Sequence, residues 1–315
     1  MRKSILLLAT AFALSACLAA KPSATTDGPQ LAGCPLFAAD HYWNAPVDEL
    51  PLLLRSSTYI NSIGADASLH ADFGSGTWEG RPIGIPFNLA DASTLRQQVS
   101  FDYDDESDPG PYPIPSNPKI EGGSDHHLLV LQTDNCVLYE LYDAEKIAAG
   151  WRAGSGAVFD LNDYRLRPDG WTSADAAGLP ILPGLVRYDE VAAGEIKHAI
   201  RFTAPLTQKA YLWPARHYAS DDSNQDLPPM GLRLRLRADY DTSGFPPQAR
   251  VILEAMKKYG IVLADNGSAW FISGVPDERW DNDDLHSLSR LKGSDFEAVD
   301  TSRLMVDPDS GKARQ

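Results

Sequence analysis

Residues 228–274 read PPMGLRLRLRADYDTSGFPPQARVILEAMKKYGIVLADNGSAWFISG, and they carry the clearest local signals in the chain. Leu232, Leu234 and Leu236 alternate with Arg233, Arg235 and Arg237, the period-two pattern of a strand with one buried and one solvated face. Pro246 and Pro247 open a helix over 246–259 with an apolar stripe of Val251, Ile252, Ala255, Met256 and Tyr259, and Gly260 stops it. Ile261 to Ala264 and Ala269 to Ser273 read as the arms of a hairpin, because Asn266-Gly267 accepts the positive φ of a type I′ turn.

Working outward, strand signals continue. His127 to Gln132 and Cys136 to Tyr142 flank the short connection Thr133-Asp134-Asn135 and predict a second hairpin. Gly194 to Pro205 predicts another strand, with Ile196, His198, Ile200 and Phe202 on one face and Lys197, Ala199, Arg201 and Thr203 on the other. Many short strands, 24 Gly, 23 Pro and few helices give the expected class: mainly β, an antiparallel β-sandwich of jelly-roll type. The N-terminal hundred residues are rich in loops that would wrap it.

The N-terminus bears on location. Residues 1–17, MRKSILLLATAFALSAC, have a basic start, a short apolar core and Leu14-Ser15-Ala16-Cys17, the pattern of a bacterial lipobox. The expectation is a signal peptide over 1–16, lipidation on Cys17, a tether over 17–33, one domain over 34–306 and a frayed tail over 307–315. Residue 18 is Leu rather than Asp, which by analogy with enteric sorting predicts the outer membrane. Removing Arg2 and Lys3 takes the formal charge from −15 to −17. Such an acidic chain repels phosphate backbones, which argues against nucleic acid as a partner. The apolar run 179–186, LPILPGLV, is too short and too broken to span a bilayer, so the lipid alone would hold the protein to a membrane. With Cys17 assigned, Cys34 and Cys136 remain as an even pair in an oxidising compartment, and they predict a disulfide.

Several chemistries are argued against by absence: the chain has no G-x-S-x-G, no Walker loop, no G-x-G-x-x-G after a strand, no H-E-x-x-H and no C-x-x-C. What remains is a set of polar residues in apolar company. His198 lies between Ile196 and Ile200, His127 shares a face with Leu129 and Leu131, and Arg216-His217 follows Trp213-Pro214. If their strands neighbour one another, His127, His198 and His217 could converge beside Asp125 as a catalytic or metal-binding cluster. The plainer reading is three unrelated histidines, each bonded locally. The row Arg233, Arg235, Arg237 is most simply a solvated face; read functionally it is a cationic strip for a charged sugar. The acidic loops at 102–108, 221–226 and 277–284 could each hold calcium, although none has the EF-hand ligand order. Trp43, Trp78, Trp171 and Trp280 lie in loop-like contexts where an indole could stack on a sugar or simply fill a core.

The blocks GLVRYDEVAAGEIKHAIRF (184–202), YLWPARHYAS (211–220) and 228–274, with DHHLLVLQTDNCVLYELYDA (125–144), resemble those of a secreted bacterial lipoprotein family. The resemblance brings no activity with it and assigns no catalytic residue. By analogy of fold and place alone, the chain is expected to act on a polysaccharide or envelope glycan. As a lyase it would use Arg201 or Arg216 on a uronate carboxylate, His198 or His217 as base and Tyr211 or Tyr218 as acid. As a hydrolase it would use two carboxylates such as Asp125 and Asp265, although Asp265 is also what a hairpin turn requires. The alternatives are a non-catalytic glycan- or envelope-binding lipoprotein and a histidine-cluster metalloprotein.

Overall fold

A computed structural model describes residues 28–148 and 150–315. The signal segment and Cys17 lie outside the described residues.

The alternating leucines build the largest sheet. Arg233–Leu236 is a strand that pairs antiparallel with both Ile261–Asn266 and Phe296–Ala298. The full order across six strands is 296–298, 233–236, 261–266, 200–204, 271–273 and 70–72. Leu232, Leu234 and Leu236 are fully buried, and the helix Pro247–Lys258 adds Ala249, Ile252, Leu253 and Met256 to the same apolar core. Gly260 ends the helix with φ +71°, and a β-carbon there would collide with the Leu234 carbonyl oxygen, so only glycine fits.

Three expectations for this region change. First, Ile261–Asn266 and Phe271–Ser273 are not partners: Ile200–Ala204 lies between them, parallel to the former and antiparallel to the latter. Gly267 has no positive φ; it is glycine-sized because a β-carbon would lie 3.0 Å from Thr203. Second, the strand expected over 194–205 is shortened to Ile200–Ala204, because the helix Tyr188–Ala193 ends at Gly194 in the left-handed conformation. Third, the arginine row is not a solvated face. Arg233 is only 4 % exposed and donates to the carbonyls of Tyr259, Tyr42 and Ala45. Arg235 bonds Glu297 and the carbonyls of Val47, Asp48 and Leu50, so these two clasp the segment 42–50 to the sheet. Arg237 alone is exposed, paired with Asp239.

A four-stranded sheet runs in the order 155–160, 137–142, 128–132, 87–90. Its central hairpin, Leu128–Gln132 with Val137–Tyr142, is the one expected. Every residue of Leu128–Gln132 is buried because both faces are covered. Leu129, Leu131 and Leu138 enter the core shared with the large sheet, while Leu128, Val130, Tyr139 and Leu141 enter a second core with Val99, Tyr112 and Trp151. That second core is closed by a three-stranded sheet, 145–147, 150–153 and 99–101. The chain is thus mainly β, but its sheets are mixed. Leu128–Gln132 runs parallel to Phe87–Ala90, Gly150–Ala153 to Val99–Phe101, and Phe271–Ser273 to His70–Asp72.

Cys34 and Cys136 form a disulfide that joins the first described strands to the central hairpin. Residues 307–313, expected to fray, are docked instead. Gly311 accepts from the Tyr42 amide and donates to the Tyr164 carbonyl, Ala313 donates to the Asp40 carbonyl, and Arg216 holds the Pro308 carbonyl and Asp309.

Candidate functional site

Across the large sheet, Asp265 pairs with Thr203, Thr203 with Phe271, and Phe271 with His70. Lateral partners in a sheet project to the same side, so these four side chains form one row on a polar face. Arg201, two residues before Thr203, shares that face, and its guanidinium donates to Ser273 Oγ at 2.7 Å.

Arg201 is the hub of a buried charge network. Asp175 grips it with both oxygens at 2.7 Å, and Asp265 reaches it at 3.4 Å. The guanidinium is already neutralised by Asp175, so Asp265 is the surplus acid. Burial and the Asp175 carboxylate push the Asp265 carboxyl up to about 7, against the pull of Arg201 and His127. Its side chain is still 22 % exposed, so the acid can be reached from solvent.

The four-stranded sheet supplies a second buried charge. The His127 ring bonds Glu121 through Nδ1 and the Ala174 carbonyl through Nε2. Burial disfavours its imidazolium, but the Glu121 carboxylate prevails and holds the His127 pKa at about 9. Glu140, one strand over, is fully buried and accepts from the amides of Ile181 and Leu182. Burial pushes its carboxyl up to about 7, although the two amides oppose this.

These groups back a cleft of about 500 Å³ lined by Tyr103, Glu106, Asp125, Tyr142, His217 and Asp265, among others. Asp125 is exposed and accepts from the Ser124 hydroxyl. His217 donates through Nδ1 to the Ala176 carbonyl, which leaves Nε2 facing Glu106 at 3.8 Å, and its ring stacks on Tyr218. Among the described lining residues His217 is the only basic one, against Glu106, Asp125, Asp221 and Asp265.

Of the two readings of the three histidines, the converging cluster does not assemble and the plainer one, local bonding of each, describes the structure. His217 lines the cleft and His127 lies behind it, whereas His198 is bonded to Arg187, Glu190 and the Ala199 carbonyl in a separate buried ion group. Among the described residues no three His, Cys, Asp or Glu gather as a metal site. The acidic loops serve other ends: Asp108 pairs with Arg167, and Asp284 accepts from the amides of Gln248 and Ala249 at the start of the long helix. Arg201 is enclosed by Asp175 and Ser273, and Arg216 by the C-terminal segment. Trp43 and Trp280 are buried, while Trp78 is 74 % exposed.

Sequence reading missed Glu121, Asp175 and Glu140. Glu140 was legible in principle, since it occupies the same strand face as core residue Leu138. Asp175 sits in a loop with no periodicity, and nothing local marks it.

Comparison with protein-family models, curated proteins and solved structures found no match.

Proposed function

We propose that this protein hydrolyses a neutral glycan, with Asp265 as general acid and Asp125 as the partner carboxylate that activates water or attacks the sugar. The observation carrying this is the pair itself. One cleft holds a carboxyl whose proton affinity burial and the Asp175 carboxylate raise, and a second carboxyl open to solvent, the asymmetry that glycoside hydrolysis uses. Tyr103, Tyr142 and Tyr218 offer flat faces for sugar rings. The acidity of the cleft favours an uncharged polymer over a uronate. The lyase alternative loses support because Arg201 and Arg216 are spent on protein partners. Two finer points belong to the same proposal: a sandwich arrangement, supported by the apolar core that the six- and four-stranded sheets share, and an envelope location through lipid on Cys17.

Asp265→Asn and Asp125→Asn should each lower the release of reducing ends from a neutral glycan by about 10²–10⁴-fold, with the fold retained. Because Asp265 must be protonated to act as the acid, wild-type turnover should fall as pH rises through about 7. A folded Asp265→Asn chain with wild-type turnover would overturn the assignment. Glycan binding without cleavage by the wild type would favour the non-catalytic reading.

A further inference from the structure

A second cleft, of about 570 Å³, opens beside His70–Asp72, the edge strand of the large sheet. It is a site of its own. Buried Arg201, Thr203 and Ser273, and the buried His127 ring bonded to Glu121, stand between it and the cleft that holds Asp265. Leu69, Phe73, Ile83 and Leu285 give it an apolar lining. Trp78 adds an indole from a small hairpin, Thr77–Trp78 with Arg81–Pro82. The base of that hairpin is pinned: the Asn282 side chain accepts from the Ser75 amide and donates to the Ser75 carbonyl, and the Gly74 amide donates to the Ile83 carbonyl. The indole is thus kept at the cleft although it belongs to none of the apolar cores.

Two opposite charges in this apolar cleft are unspent. Asp72 and Arg81 both line it, and neither side chain bonds or pairs with a described residue, the other included. Burial and the nearby His286 hold the His70 imidazole below its ordinary pKa against the pull of Asp72, so His70 is neutral at pH 7 and offers Asp72 no countercharge. Glu121 gives His127 its Oε2 atom, and its Oε1 accepts from no described group. Arg81 is set against the loop that carries Glu121, since a β-carbon on Gly122 would lie 2.7 Å from the Arg81 β-carbon. An apolar cleft with a free carboxylate and a free guanidinium is complementary to a molecule that carries an ammonium, a carboxylate and an apolar body.

We infer that the second cleft binds a small zwitterion with an apolar side chain, an amino acid or a short peptide. Its ammonium would sit at Asp72 and the free oxygen of Glu121, and its carboxylate at Arg81. Its side chain would lie between the Trp78 indole and the apolar lining. Such a site is independent of glycan cleavage in the first cleft.

The test is titration calorimetry on the full chain with four probes: phenylalanine, the dipeptide phenylalanyl-leucine, phenethylamine, which lacks the carboxylate, and phenylpropionate, which lacks the ammonium. Phenylalanine or the dipeptide should bind at least about tenfold tighter than either analogue, the worth of one charge-assisted contact. The tighter of those two tells a free amino acid from a peptide as the ligand. Asp72→Asn and Arg81→Gln should each weaken that binding about 10- to 100-fold, and Trp78→Ala about three- to tenfold. All three side chains are exposed, so the fold should survive their replacement. Should a variant misfold, the preference of the wild type over the two analogues still decides the site. No binding of either zwitterion at millimolar concentration, an analogue that binds as well, or binding indifferent to Asp72→Asn and Arg81→Gln would overturn it.

Discussion

A histidine placed between two isoleucines invites a functional reading, and His198 shows how its environment resolves it. Its imidazole is fully buried against Arg187 and Glu190, away from both clefts. His198→Leu should therefore cost about 1–3 kcal/mol in urea unfolding, from the lost hydrogen bonds, while glycan turnover of the folded variant stays at the wild-type level. Lost turnover would return His198 to the chemistry. His127 is the opposite case, because its charge matters to stability. Its folded pKa of about 9 is raised from the ordinary histidine value of 6.5, so the stabilisation is complete below about 6.5 and is lost as pH rises through about 9. Unfolding free energy should drop by up to roughly 3 kcal/mol between those limits, and His127→Gln should flatten that slope. A profile that is level from pH 6 to 10 in the wild type would contradict the ion pair with Glu121. At this scale the sequence made His127 legible through its apolar neighbours on the strand, but not Glu121, whose bond to it depends on how a glycine-rich loop folds back.

At the scale of elements, legibility followed locality. The helix over 246–259 appears almost as read, because its proline start, apolar stripe and glycine stop lie within one short stretch. The hairpin around Asn266-Gly267 does not, because the strand that separates its arms, Ile200–Ala204, is some sixty residues upstream. The arginine row misled for the same reason: the carbonyls that bury Arg233 belong to Tyr42, Ala45 and Tyr259, two of them in a distant segment. The helix also depends on a remote cap. It lacks a capping side chain of its own, and Asp284 supplies the acceptor for the Gln248 and Ala249 amides. Asp284→Ala should cost about 1–2 kcal/mol, with Asp284→Asn milder, as read by thermal unfolding. Equal losses in both variants would mean that charge, rather than the acceptor oxygens, is what the helix start requires.

For the whole molecule, the decisive constraint is the bond between Cys34 and Cys136, which closes a loop of about a hundred residues. The chain-entropy account assigns such a loop about 4–5 kcal/mol. Denatured, unreduced protein should contain no reactive thiol from this pair, and a Cys34→Ser, Cys136→Ser chain should lose stability of that order. A double variant as stable as the parent would show that the straps around residues 40–50 suffice without it. Those straps are held by residues far downstream. Gly311, Ala313 and the carbonyl of Pro308 meet Tyr42, Asp40 and Arg216, so residues 308–313 tie down segments far upstream in the chain. Domains generally fold as units once enough of the chain has emerged from the ribosome. Here the segment 40–42 cannot be fastened until residues 311–313 have been made, so the fold closes as one unit and not progressively from its first strands.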